Sequence, residues 1–270
     1  MRLLYRAYRS LFARPRYRRL NNALFRMGLH GLGVLNFESS DVSGESHFVS
    51  RILPMLIGGN QPVFFDVGAN VGHFSSLLLR RFPTARLYAF EPHPKTYSRL
   101  TAAISLDGRV KTRNVGIGDK RETLMLYDDA NLDGSSHASL YESVISELHG
   151  KPVVSTLIRV ETLDAVASEE NIAAIDYLKI DTEGHELAVL KGAARMLSED
   201  KITCIQFEFN EMNVESRVFL RDFRRLLPKH DLYRLLPRGM IRIEEFPLSS
   251  ELFAYQNVIA IRKSTQAKFI

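Results

Sequence analysis

Between positions 62 and 91 the chain reads strand, glycine turn, helix, strand, and that order restricts the fold more than any other feature of the sequence. The run PVFFDV at 62–67 is short, apolar and rich in β-formers, and Gly68 ends it. Such a run reads as a strand buried on both faces. HFSSLLLRRF at 73–82 has the length and leucine content of a helix and stops before Pro83. RLYAFE at 86–91 is a second strand, closed by Pro92 and Pro94. A strand that returns after one helix lies parallel to the first through a right-handed crossover, so the class is α/β.

The alternation continues along the chain. A helix at 96–105 and a strand at 110–115 come next, and then a polar stretch at 119–160 flanked by β-like pieces at 123–127 and 153–160. A strand at 177–180 leads to a helix at 186–197, where Leu187, Leu190, Ala194 and Leu197 keep a 3.6-residue period. A strand at 202–209, a helix at 216–227 with Val218, Phe219, Phe223, Leu226 and Leu227 on one face, and strands at 232–236 and 258–261 complete the pattern. A chain of 270 residues that is 45% hydrophobic and 25% charged suits one domain with attachments and excludes disordered and fibrous classes. The single Cys204 excludes an internal disulfide and a cysteine zinc site, and within its apolar strand it reads as core packing. The longest uncharged stretch, 52–65, is broken by Pro54, Gly58, Gly59 and Pro62 and is too short for a membrane span of ~20 apolar residues.

Charge divides the chain. Residues 1–30 hold eight arginines and no Asp or Glu, so a net charge of +5 leaves −3 for the remainder. Leu3, Leu4, Tyr5, Tyr8, Leu11 and Phe12 interleave with those arginines. Residues 1–37 therefore read as a basic helical arm, and 38–270 as a single domain. The arm has the make-up of a surface helix for anionic lipid or another polyanion; the alternative is a packed helix with solvated arginines. Arginines interrupt every apolar core that a secretory signal would need, and with Ser10 as its one serine the arm is poor in serine for a transit peptide. The expected location is cytoplasmic, with a peripheral place at the inner membrane face where the arm binds lipid.

Ligands of such sheets sit at the carboxyl ends of the strands. The first strand ends in FDVGANVG at 65–72, where Gly68 and Gly72 permit positive φ and close backbone approach. This is not a dinucleotide fingerprint: the second glycine is missing, and Asp66 puts negative charge where a pyrophosphate would rest. Glu91, at the tip of the next strand, is suited to accept both hydroxyls of a ribose. A glycine turn with an acid inside it and an acid on the next strand suits a nucleoside carrying an amino-acid-like cation, and S-adenosylmethionine is such a ligand.

Four segments sharpen this reading. FDVGANVGHFS at 65–75, YAFEPHP at 88–94, YLKIDTEGHELAVLKGA at 177–193 and IQFEFNE at 205–211 resemble the signature segments of the FkbM-type methyltransferases. That family uses S-adenosylmethionine to methylate hydroxyl groups, commonly on sugars or natural products. The likeness runs from about Glu45 to Glu211 and leaves out the arm. It implies a Rossmann-like class I methyltransferase fold: a mostly parallel seven-stranded sheet with helices on both faces. It also implies that Asp66, Gly68, Asn70 and Gly72 hold the methionine part, Glu91 the ribose, and His93 and the stretch from Asn114 to Gly116 the adenine. The run Asp181 to Glu186 would lie where the methyl leaves, with Asp181 also touching the cofactor and Glu45 approaching from the segment before the first strand.

A sugar hydroxyl is a poor nucleophile and gains from a general base, for which Asp181, Glu183 and His185 are the candidates. Glu186 reads as an acid complementing a helix N-terminus. Mg²⁺ held by Asp181 with Glu208 or Asn210 stays open, and no metal ligand is assigned. The run Asp129-x-Asn131-x-Asp133-Gly134 begins like a calcium loop but carries Leu140 at the twelfth position, so a polar loop is read there, with Ser135, Ser136 and His137 free to face an acceptor. Gly-x-Ser-x-Gly is absent. The expected function is S-adenosylmethionine-dependent O-methylation of a sugar hydroxyl in a glycan, glycolipid or natural product, free or lipid-linked. The rival is a nucleic-acid methyltransferase recruited by the arm. Against it stand the missing Asn/Asp-Pro-Pro-aromatic tetrapeptide and the net negative main domain, so no nucleic-acid partner is expected.

Overall fold

The fold comes from a computed structural model that describes residues 2–104, 107–132, 134, 138–244 and 250–266. Asp133, Ser135, Ser136 and His137 lie outside the described residues. In chain order the strands are β1 (Val63–Val67), β2 (Arg86–Phe90), β3 (Val110–Arg113), β4 (Gly116–Gly118), β5 (Glu122–Asp129), β6 (Val153–Thr162), β7 (Ile175–Ile180), β8 (Ile202–Phe209), β9 (His230–Leu236), β10 (Gly239–Arg242) and β11 (Gln256–Arg262). Eight of them form one sheet in the order β10-β9-β11-β8-β7-β1-β2-β3. The pairs β3/β2, β2/β1, β1/β7 and β7/β8 are parallel, whereas β11 runs antiparallel to both β8 and β9. This is the expected Rossmann-like sheet with one strand more than the seven foreseen. After β9 the chain reverses at Pro237-Arg238, and Gly239, at φ 137°, pairs with Leu236 to start the antiparallel edge strand β10.

Alternate residues of the central strands feed two cores, as a period of two requires. Phe65, Tyr88, Phe90, Leu178 and Phe207 face a core closed by helices Leu163–Glu169, Glu186–Lys191, Ala194–Ser198 and Leu220–Leu226. Phe64, Leu87, Ala89, Tyr177 and Cys204 face the other, closed by residues 48–56 and helices His73–Arg81 and Pro94–Ile104. Cys204 is fully buried there, a packing residue as expected.

The β-like pieces of 119–160 become β5 and β6, which join β4 in a second, three-stranded sheet in the order β4-β6-β5, built around Leu126, Ile158 and Val160. The strand read at 110–115 ends at Arg113 as β3, and the residues just after it form β4, which joins the other sheet. The helix read at 186–197 breaks at Gly192, and that read at 216–227 begins only at Leu220, where the Glu251 carboxylate accepts the Leu220 and Arg221 N–H groups at 2.7 and 3.0 Å.

The arm consists of helices Arg2–Phe12 and Arg18–Gly31 joined at Pro15–Tyr17. No residue of the first helix is buried, and Leu29 alone in the second. The chain then locks onto the sheet edge: Val34 is fully buried, and the Leu35 N–H donates to the Tyr255 carbonyl at 2.8 Å. Among the described residues no helix is long and apolar enough to cross a membrane.

Candidate active site

The strand order reverses between β1 and β7, the crevice where open α/β sheets bind ligands. Three strand ends are tied together there. The Gly68 and Ala69 N–H groups donate to the Phe90 carbonyl at 3.0 and 2.9 Å, and the Asp181 N–H donates to the Val67 carbonyl at 2.9 Å. Gly68 has φ 79°, and a Cβ there would overlap the Asp181 carbonyl oxygen, so a side chain at position 68 would force these strand ends apart.

Glu91 extends beyond β2 and accepts the Asn70 N–H at 3.0 Å and the His93 N–H at 2.9 Å. Burial pushes its carboxyl up to about 7 in spite of those donors. Asn114 braces the same turn, donating from Nδ2 to the Glu91 and Pro92 carbonyls at 2.8 and 2.9 Å. Asp66 is fully buried beneath the turn, with the Ser75 hydroxyl donating to Oδ2 at 2.6 Å and Oδ1 accepting from none of the described residues. Burial raises its carboxyl, opposed by Lys179 and Ser75.

Asp181 caps β7 and accepts from the Lys179 ammonium at 2.7 Å. Lys179 is buried, 4.8 Å from the Phe74 ring centroid. Burial by itself would lower its pKa, but the carboxylates of Asp181, Glu45, Asp66 and Glu208 more than offset this and hold it above the usual lysine range. Glu186 fastens the loop that follows: its Oε1 accepts the Thr182 N–H and hydroxyl, both at 3.1 Å, and the Gly184 N–H at 3.0 Å. That agrees with its reading as helix-start chemistry, and burial pushes it up to about 7.

Two cavities open at this edge. The first, about 720 Å³, has Asn70, Glu91 and Asp181 at its polar end and Val115, Ile117 and Val160 along an apolar wall. Gly68, Glu183 and His185 also line it. The second, about 860 Å³, is lined by Phe37, Glu208, Glu211, Tyr255 and others, and shares Asn70, Asp181 and Glu183 with the first. Asp66, Gly72, His93 and Asn114 line neither. Gly72, at φ 85°, starts the helix His73–Arg81, where a Cβ would lie 2.9 Å from Leu100, and His93 is buried with Nε2 3.9 Å from Asp128 Oδ2. His185 belongs to the first cavity alone, and burial lowers its pKa. Glu45 stands behind the second cavity, accepting from Gln206 Nε2 at 2.7 Å. Gln206 also donates to Asn257, which donates to the Tyr255 hydroxyl. Among the described residues no three His, Cys, Asp or Glu side chains are placed to hold a metal ion.

Phe37, Lys179 and Tyr255 were not read from sequence as site residues. Lys179 lies inside the quoted YLKID segment, but a lone lysine in an apolar strand has no spacing signal. Phe37 and Tyr255 meet at 6.0 Å, edge to face, from chain segments more than two hundred residues apart.

The chain is 32% identical to methyltransferase sdnD of Sordaria araneosa over 158 residues, covering 49% of this chain and 61% of that protein. It is 28% identical to 2-O-methyltransferase NoeI of Sinorhizobium fredii over 205 residues, covering 71% and 82%. With hexuronic acid methyltransferase AglP of Haloferax volcanii the identity is 25% over 170 residues, covering 62% and 63%. The methyltransferase FkbM domain matches residues 66–235, from the acid beneath the glycine turn to strand β9, and the chain therefore belongs to the FkbM methyltransferase family.

Proposed function

We propose that the protein transfers the methyl group of S-adenosylmethionine to a hydroxyl, that of a sugar in a glycan, glycolipid or natural product. The observation that carries this reading is the shared edge of the two cavities, where Asn70, Asp181 and Glu183 line both. One cavity then holds the donor, the other the acceptor, and the methyl crosses where they meet. The residues present fit the donor. The first cavity has the size of a small-molecule site, Glu91 keeps acceptor capacity for ribose hydroxyls beyond its two backbone donors, and Val115, Ile117 and Val160 form an apolar slot for a flat base.

Bound there, the donor supplies an electrophilic methyl on a positively charged sulfur. The protein supplies position. Displacement at carbon requires the acceptor oxygen in line with the breaking bond, and holding that geometry is itself a large share of catalysis. Asn70 and Asp181 sit at the junction to orient the reacting groups, while His185, confined to the first cavity, acts on the donor side. Asp66 supports the glycine turn from below. The names of NoeI and AglP, a 2-O-methyltransferase and a hexuronic acid methyltransferase, support a hydroxyl and a sugar as acceptor. Asp181, Glu183, Glu208 and Glu211 around the second cavity disfavour a polyanion such as nucleic acid. The arm is proposed to hold the enzyme at an anionic cytoplasmic membrane face, close to lipid-linked acceptors. The test is a screen of glycosides, glycolipids and RNA with methyl-labelled S-adenosylmethionine, read by mass spectrometry. A methyl ether on a sugar is expected; label on a nucleobase, or on no hydroxyl acceptor, overturns the reading.

A further inference from the structure

Asp181, Glu183 and His185 were the bases suggested by sequence, yet the structure gives each a different situation. Asp181 Oδ2 is committed to the Lys179 ammonium, and His185 does not line the second cavity. Glu183 takes φ 53° in the turn and serves the shared edge with its backbone held by the Ser139 hydroxyl at 2.8 Å. Glu208 is differently placed. Strand alternation sends Phe207 and Phe209 into the core beneath helix Leu220–Leu226 and turns Glu208 to the opposite face, where it lines the second cavity. Among the described residues its side chain takes one hydrogen bond, a long contact from Asn210 Nδ2 to Oε2 at 3.5 Å, which leaves Oε1 open to a ligand.

We propose that Glu208 is the catalytic base that takes the proton from the acceptor hydroxyl, an inference that rests on the hydroxyl reading above. In the step, the hydroxyl proton passes to a Glu208 carboxylate oxygen and an oxygen lone pair forms the new bond to the methyl carbon. The electron pair of the broken carbon–sulfur bond stays on sulfur, leaving a neutral thioether. No further reactant is needed. The proton later leaves Glu208 through the cavity mouth, restoring the carboxylate.

The charges around Glu208 suit this role. Asp181 and Glu183 face it from the β7 end, Lys179 from β7 itself, Glu45 from helix Glu45–His47, and Tyr255 from the segment before β11; Glu211 and His149 line the same cavity. Burial, then Asp181 and Glu183, raise its carboxyl well above the ordinary range, with Lys179 opposing. A carboxyl shifted in that direction binds a proton far more readily than an exposed one, as a base for a weakly acidic hydroxyl should. It works ionised, so turnover rises with pH through its titration.

The experiment compares wild type with Glu208→Gln, Glu208→Asp and His149→Ala, using the best sugar acceptor from the screen. Glu208→Gln is expected to lower turnover by about 10²–10⁴-fold, to abolish the rising limb of the pH–rate profile, and to keep S-adenosylhomocysteine affinity by calorimetry within a few-fold. Glu208→Asp should restore part of the turnover together with the limb. A second arm needs no acceptor: infrared difference titration of the wild type with S-adenosylhomocysteine bound should show a carboxyl that ionises on raising the pH and is missing from Glu208→Gln. Near-normal turnover with the limb intact in Glu208→Gln, a limb lost in His149→Ala instead, or a wild-type titration identical to that of Glu208→Gln would each overturn the assignment. If no sugar is methylated but the infrared difference is present, the acceptor class is wrong while Glu208 keeps its protonation chemistry.

Discussion

Glu91 enters the site with both oxygens already accepting backbone N–H groups and with its carboxyl pushed up to about 7 by burial. The sign of the consequence follows from that direction. The folded state holds the proton more tightly than the unfolded chain does, so this residue's contribution to stability is complete below about 4.5 and is lost as the pH rises through about 7. Cofactor binding should run the opposite way, because the ionised carboxylate accepts ribose hydroxyls better. Donor affinity is therefore expected to strengthen as the pH rises through neutrality. Glu91→Gln should weaken it by about 1.5–3 kcal/mol and flatten that dependence; calorimetry at several pH values checks both. Glu91 and Asp181 were legible because a strand tip is a recognisable place in a sequence. Lys179 was not, because its partner and its burial depend on which strands lie beside β7.

At the scale of elements, Gly192 accounts for a break that helical periodicity does not reveal. The apolar period runs unbroken from Leu187 to Leu197, but the helix ends at Lys191, and a Cβ on Gly192 would overlap the Gly118 carbonyl oxygen of β4. The Gly192 carbonyl also accepts the Asp164 N–H at 2.9 Å, so one short kink joins the second sheet to two helices. Gly192→Ala separates local from tertiary causes by sign. Helix propensity alone would make alanine stabilising, by up to about 1 kcal/mol, whereas overpacking costs about 1–3 kcal/mol. Denaturant unfolding is expected to show a net loss, and because β4 carries Ile117 into the first cavity, proposed to hold the donor, affinity for S-adenosylhomocysteine should fall with it. A gain in stability would mean that the contact with β4 relaxes freely.

For the molecule as a whole, the arm is the part with the least burial and the most charge. Leu3 and Leu4 are 81% and 69% exposed, and Phe25 and Met27 62% and 61%, among arginines that have no acid nearby in sequence. The arm ends at Phe37, which lines the second cavity. Because Val34 is fully buried, substitution tests this more cleanly than truncation. Each basic residue near an anionic surface contributes roughly 1 kcal/mol, so replacing Arg2, Arg6 and Arg9 with glutamine should release the protein from phosphatidylserine vesicles. Wild type should co-sediment at low salt and detach as salt screens the attraction. Donor affinity should be the same in both proteins. Equal sedimentation of the two would remove charge as the reason for any binding.

The sequence by itself determined the α/β class, the glycine turn and the acidic strand tips, because these follow from local patterns: two-residue alternation, helical period and punctuation by Gly and Pro. It also determined the family, through four ordered segments. The tertiary structure decided what local pattern does not encode. Residues 119–160 had shown only β-like pieces, and folding gathers them with β4 into a separate sheet that walls the first cavity. Asp66, foremost in the sequence motif, lies beneath the turn, while Glu208 reaches the second cavity because β8 sits next to β7 and turns that side chain away from the core. Which face of a strand meets ligand is set by neighbours distant in sequence, and those neighbours exist only once the sheet has formed.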